Sequence, residues 1–245
     1  MSSTASAPRA SEALAHFVAA PHAGAAFDDA LEMARVRLTA ARTALDTPTV
    51  ASELVARALA AYGAPLRRAF TAGARLAENP VARADAPIVA AALASGESTG
   101  CSEAGVLAAI AVGREVAARL ARGLTFDPPW NAVAVIAGIA AGAAAARAAS
   151  LDPDAARHAI GLAATQAAGL GAVEDTALAA VGSGKSAADA LEAALLAGLG
   201  FTAASAWLEG RRGLAALMAS QFDEAAVCEA LGQRWFSAER AVRPA

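Results

Sequence analysis

The stretch PPWNAVAVIAGIAAGAAAA, Pro128 to Ala146, carries no charge from end to end, and a chain containing it must either put it in a bilayer or pack it among other elements. Its second half is almost entirely alanine and glycine, far less hydrophobic than the leucine, isoleucine and valine of a typical span, and Arg147 follows at once. The stretch therefore reads as a buried core helix. Gly138 and Gly142 form a G-x-x-x-G pair that lets another helix approach closely, as it does in water-soluble proteins too. The rest of the chain fits this reading. Hydrophobic residues reach 57%, mostly through alanine, while aromatics are only 4%. Alanine is the best helix former, and the β-branched and aromatic runs that suit strands are nearly absent, so the predicted class is all-α.

At 245 residues the chain can bury a sizeable core as one large or two small domains. Charged residues are 18%, the formal net charge is -3 and the arginines are scattered, which gives no footprint for nucleic acid or an anionic membrane. Cys101 and Cys228 lie far apart without metal-ligand spacing, which predicts free thiols in a reducing cytoplasm and no metal site. The opening, MSSTASAPRASEALAHF, lacks the basic-then-apolar layout of a secretion signal, so residues 1–10 are expected to be a disordered leader and 11–245 the helical domain.

Helix signals recur along the chain. SEALAHFVAA, DDALEMARVRLTAARTAL and VASELVARALAAYG come first, and a loop around Pro80 and Pro87 then leads into an alanine-rich helix. Ser102 starts a helix with Val106, Leu107, Ile110, Ala117 and Leu120 on one face, Arg114, Glu115, Arg119 and Arg122 largely off it, and Gly123 to stop it. Asp152 is an N-cap with Pro153 at the first helical position, and Gly169 and Gly171 close that helix. Ser186 is the expected cap of SAADALEAALLAGLG, and a last helix is expected from Asp223 to Gly232. No period-two alternation marks a strand.

The segment AAVGSGKSAA, residues 179–188, fits a loosened phosphate-loop pattern with Ala179 in place of the first glycine, and its Lys185 is the only lysine in the chain. A phosphate loop leaves the end of a β-strand and turns its backbone N–H groups onto the phosphates at the mouth of a helix. Here QAAGLGAVEDTALAA precedes it, a helix end and a polar turn, and no strand-end aspartate is at hand for magnesium. Nucleotide binding is therefore the weakest of the readings. Glu174 and Asp175 form an acidic turn near Lys185, either a charge-paired surface loop or the wall of a site.

RHAIGLAATQAAGL, followed by GK and by AALLAGLGFTAASAWLEGRRGLAAL, resembles the MmgE/PrpD family, which includes 2-methylcitrate dehydratases, cis-aconitate decarboxylases and an iminodisuccinate epimerase. ALAHFV, APIVAAALA, GVLAAIAVGREVAARLARGL and LGQRWF agree in order, so the similarity covers most of residues 11–245. The resemblance implies a large all-helical domain, dimerising through its helices, that relatives follow with a smaller α/β lid. This sequence ends at AVRPA, with Arg243 and Pro244 at the junction, and the lid is expected to be absent.

Chemistry of the family's kind needs a base, a proton donor and cations facing a small polycarboxylate. The family carries these on an aspartate-rich loop, a His-Pro-Ser, a His-Pro-Thr at a helix start and a Thr-Lys-x-x-His-x-Gly-Arg turn. The resemblance carries the aspartate loop onto ARLAENPVARAD, where Glu78 and Asn79 are the polar candidates. The histidine of His-Pro-Ser falls at Arg83, with Asp85 near the serine. Asn131, Ala132 and Val133 occupy the His-Pro-Thr positions. In the last turn Ala179 replaces the lysine and Gly182 the histidine, while Gly184 matches and Lys185 replaces the arginine. The candidate substrate-binding set is thus Lys185, Gly184, Asn131, Arg83, Asp85, Glu78 and Asn79, with no catalytic residue assigned and no cofactor expected.

Lys185 reads either as a carboxylate holder left from the family's anion-facing turn or as a surface lysine on a Gly-Ser loop. His16, His22 and His158 are read as solvent-facing or structural, since a catalytic histidine needs a converging partner. Two functions follow. The first is a diverged, non-catalytic helical subunit related to 2-methylcitrate dehydratase-type lyases, working as a homodimer or in a heteromer with a lid-bearing relative. The second is an active lyase or isomerase on a small polycarboxylate with substituted catalytic residues.

Overall fold

The computed structural model describes residues 9–128 and 130–239. Alanine-rich, amphipathic sequence folds into helices there, in the order α1 (Ala10–Ala19), α2 (Ala25–Leu45), α3 (Val50–Ala58), α4 (Ala64–Ala77), α5 (Ala86–Thr99) and α6 (Glu103–Gly123). After them come α7 (Ala132–Ala148), α8 (Pro153–Gln166), α9 (Leu178–Gly198), α10 (Leu214–Met218) and α11 (Glu224–Cys228). Of the expected leader, residues 1–8 lie outside the described residues, as does the Arg243–Pro244 junction.

The charge-free stretch forms α7, buried continuously from Val135 to Ala146 and packed against α5, α6, α8 and α9. Alanine offers little area per side chain, so cohesion must come from many close dispersion contacts between backbones. The glycines permit that approach. A Cβ added at Gly142 would lie 2.5 Å from the Ala163 Cβ on α8, and one at Gly113 on α6 would lie 2.8 Å from the Ala144 Cβ. Among the described residues, no helix is long and apolar enough to cross a membrane.

Local chemistry sets most helix starts. Ser102 Oγ accepts from the Gly105 N–H at 3.2 Å at the head of α6, and Asp152 Oδ1 accepts from the Ala155 N–H at 2.9 Å at the head of α8, with Pro153 following. Thr49 and Ser52 form a reciprocal capping box on α3. At the other end of α1, Arg147 Nη1 donates to the carbonyls of Val18, Ala19 and Ala20, the last at 2.6 Å, placing a cation on a helix C-terminus.

Five features depart from the sequence reading. Helix α9 begins at Leu178, not after Ser186, so Val181-Gly182-Ser183-Gly184-Lys185 lies inside a helix. The expected helix from Asp223 ends at Cys228, because Ala230 takes a left-handed backbone with φ 44°. Helix α8 stops at Gln166, before the glycines expected to end it. A two-stranded antiparallel ribbon joins β1 (Leu124–Phe126) to β2 (Ala219–Phe222), too short and too distant in sequence for any alternation to show.

The largest correction concerns α6. Glu115 and Arg119, read as lying off its apolar face, are fully buried and form an ion pair with Nε 2.8 Å from Oε1. The C-terminal segment covers them. Arg119 donates to the carbonyls of Val227, Glu229 and Arg234 at 2.8 to 3.0 Å, and Glu115 accepts from the backbone N–H groups of Phe236 and Ser237. The Phe236 ring stacks under the guanidiniums of Arg122 and Arg234, 4.0 and 4.5 Å from its centroid. Trp235 inserts beside it into a cluster with Phe17, His22 and Phe27.

Candidate functional site

Each residue of the candidate set has a definite place in the fold. Glu78 is exposed at the C-cap of α4. Asn79 Oδ1 accepts from the N–H groups of Val81 and Ala82 at 2.9 and 3.1 Å, so its side chain shapes the turn that follows. That turn leads into the 3-10 helix Arg83–Asp85, which contacts α4, α5 and α7. Arg83 faces solvent.

Asp85 does not. Its carboxylate lies between Arg37 of α2, 3.0 Å away, and Arg114 of α6, 3.4 Å away, with the three side chains 28%, 14% and 11% exposed in the order Arg37, Asp85, Arg114. Arg37 also donates to the Val81 carbonyl at 3.2 Å. A carboxylate held by two guanidiniums has its acceptor positions engaged by them. It ties three helices together. Neither arginine was singled out in the sequence as a partner of Asp85, because the residues that meet here lie on separate elements.

Asn131 caps α7. Its Oδ1 accepts from the Ala134 N–H at 3.0 Å, while its own N–H donates to the Gly169 carbonyl at 2.8 Å. The amide therefore holds a helix start that histidine and proline would otherwise occupy in the family pattern.

The Gly184–Lys185 pair is set by the crossing of α4 and α9. A Cβ at Gly184 would collide with the Phe70 carbonyl oxygen, and one at Gly73 would sit 2.9 Å from the Ser183 carbonyl, so glycine on both helices lets their backbones touch. Gly184 is consequently a packing residue. Lys185 lies one position on, with its side chain 53% exposed, and its Nζ pairs with Asp189 one turn along the same helix. Glu174 and Asp175, the expected acidic neighbours, are exposed on the turn before α9. The partner is instead Asp189, a mostly buried acid that the spacing of four residues from Lys185 could have flagged.

This geometry disposes of the phosphate-loop reading. The backbone N–H groups of residues 182–188 are inside α9 and serve its own ladder, so they are not turned outward onto phosphates.

The histidines take structural positions. His158 Nδ1 accepts from the Ala203 N–H at 3.1 Å. His22 Nε2 meets the Phe17 carbonyl at 2.8 Å, and burial is the main reason its pKa lies below the usual histidine value, with Arg147 lowering it further and the bond to Phe17 raising it. His16 lies beside Glu12 on an exposed face. Cys101 and Cys228 are not joined to each other, and burial pushes the Cys228 thiol up. Among the described residues, no group of three His, Cys, Asp or Glu side chains comes together as a metal would require.

One cleft is lined by Arg9, Glu12, His16, Asp154, Arg157 and Glu209. Its charges are largely spent on one another, with Arg9 3.5 Å from Glu209 and Arg157 3.2 Å from Asp154. None of the candidate residues lines it. Each polar candidate with a partner is bound to a neighbour outside the set.

No curated protein matches the chain significantly. The all-helical architecture agrees with a sequence profile match that spans more than half of the chain: residues 78–226 match the MmgE/PrpD N-terminal domain, and the chain belongs to that family.

Proposed function

We propose that this chain is a diverged helical subunit of the MmgE/PrpD family, related to 2-methylcitrate dehydratase-type lyases but not itself catalytic, acting as a homodimer or with a lid-bearing relative that supplies the reacting groups. The observation that carries this reading is the fate of the family's site positions. Gly184 packs on Phe70, Lys185 pairs with Asp189, Asp85 is held by Arg37 and Arg114, and Asn79 and Asn131 hold backbone turns. Side chains committed in this way have little left to offer a polycarboxylate. A cytoplasmic setting belongs to the same reading, supported by cysteines that are not paired with each other.

The test is affinity purification of the tagged chain from its native cell, with mass determination of what travels with it. Stoichiometric recovery of a lid-bearing relative, or of a symmetric dimer inert toward 2-methylcitrate and cis-aconitate, is the expected result. Turnover of either compound by the purified chain alone contradicts it.

The second reading is an active lyase or isomerase with substituted residues, and one observation favours keeping it. Ala179 and Gly182 lie in the first turns of α9, and nothing stands within 4 Å of the Cβ position at Gly182. The double substitution Ala179→Lys with Gly182→His therefore fits the fold and restores two of the family's side chains. Measurable dehydratase or decarboxylase activity in that variant points to a decayed enzyme.

A further inference from the structure

A second cleft, of about 330 Å³, lies along α4 and α5 and differs from the first in its charge balance. Its walls carry Arg67, Arg68 and Arg75 against a single carboxylate, Glu97. That carboxylate is committed to Arg68, whose Nε lies 3.0 Å from Glu97 Oε2. The other two guanidiniums are anchored by neutral groups. Arg67 Nη1 donates to the Ala60 carbonyl at 2.9 Å, while Arg75 Nη1 donates to the Leu45 carbonyl at 2.5 Å and its Nε reaches the buried Ser52 hydroxyl at 3.3 Å. A carbonyl or hydroxyl fixes a guanidinium without cancelling its charge, and each of these forks retains N–H donors for another acceptor.

Between the arginines the surface is apolar, formed by Leu45, Ala90, Leu93 and Ala94. An inorganic anion leaves this floor uncovered, and a neutral hydrocarbon leaves the two fixed charges unanswered. The complementary ligand has a carboxylate at one end and an aliphatic body. The volume is at the small end of the range for ligand pockets, which limits that body to a short or medium chain.

We infer that the α4–α5 cleft binds a small aliphatic monocarboxylate, with Arg67 holding the carboxylate and the chain lying on Leu93 and its neighbours. The probes are octanoate and octan-1-ol, which has the same chain without the charge, each titrated calorimetrically into the whole protein. Octanoate binds saturably, octan-1-ol binds at least about tenfold more weakly, and Arg67→Gln lowers octanoate affinity by about tenfold while the circular dichroism spectrum is unchanged. Leu93→Glu, which sets a like charge on the partly buried floor, lowers octanoate affinity as well and serves where Arg67→Gln fails to fold. Absence of saturable octanoate binding, equal binding of octan-1-ol, or an affinity unchanged in a folded variant overturns the assignment.

Discussion

Two ion pairs in this protein share one spacing and differ in almost everything else. Glu115 and Arg119 on α6, and Lys185 and Asp189 on α9, are each four residues apart and adjacent on a helix face. The first pair is fully buried, and the second leaves its lysine 53% exposed. On α6 the acid precedes the base, the orientation that helices favour, whereas on α9 the order is reversed. The decisive difference is not on the helices. Residues 224–239 fold back over α6 and supply backbone carbonyls to Arg119 and N–H groups to Glu115, so both charges are desolvated and both are held by the backbone. Among the described residues no such segment covers Lys185, whose side chain stays 53% exposed. Identical spacing thus yields a lock in one place and a surface contact in the other.

The largest expected effect comes from breaking the lock. Glu115→Ala leaves Arg119 buried without its counter-charge and strips two backbone N–H groups of their acceptor, so denaturant unfolding should show a loss of about 3–5 kcal/mol. The C-terminal segment should release first, which hydrogen exchange at Phe236 and Ser237 would report. A loss below about 1 kcal/mol would place this pair with the one on α9.

Next in size is the glycine that seats α9 on α4. Gly184→Ala drives a methyl group against the Phe70 carbonyl and should cost about 1–3 kcal/mol, while Gly182→Ala, two residues earlier with open space around it, should stabilise by about 0.5–1 kcal/mol. Thermal unfolding of the two variants should move in opposite directions. Equal shifts would mean that the helix crossing is looser than the close approach at Gly73 and Gly184 requires.

A smaller effect attaches to His22, which sits under the C-terminal segment against Trp235. Its pKa in the folded protein lies below the 6.5 of an unperturbed histidine, with burial the main cause. As pH falls below about 6.5 the unfolded chain takes up this proton before the folded one does, so the stability that neutral His22 contributes is complete above that value and declines beneath it. His22→Phe should flatten the acid side of the melting-temperature profile relative to wild type. An unchanged slope would mean that the ring is not desolvated by the segment above it.

The smallest effect belongs to the surface pair. Lys185→Gln keeps a group within reach of Asp189 and should change stability by less than about 1 kcal/mol, with a salt-sensitive difference.

What the sequence made legible follows the range of the interactions involved. Caps such as Ser102 and Asp152, and the stop at Gly123, rest on contacts within one turn of chain, and they appear where local pattern puts them. The burial of α7 was legible too, because a charge-free run poorer in leucine and valine than a membrane span suits the interior of a bundle. The start of α9 was not. Glycines in VGSGKS read locally as a loop, and only the crossing with Gly73 on α4 shows that Gly184 belongs inside a helix. The β1–β2 ribbon and the burial of Glu115 and Arg119 escaped for the same reason, since both depend on residues near the C-terminus of the described chain returning to α6 and its end. For the candidate site, the positions could be named from the family resemblance, but not their partners. Arg37, Arg114 and Asp189 come from other elements or another turn, and they determine what Asp85 and Lys185 remain free to do.

The central claim is that Lys185 is bound to its own helix and does not hold a substrate carboxylate. The most direct measurement is the melting temperature of wild type and Lys185→Gln with and without a millimolar excess of tricarballylate, a plain polycarboxylate, because a ligand that binds the folded state raises its stability by mass action. The account predicts that any shift is the same in the two proteins. A stabilisation of the wild type that Lys185→Gln abolishes would contradict it and would return Lys185 to the working residues of a polycarboxylate site.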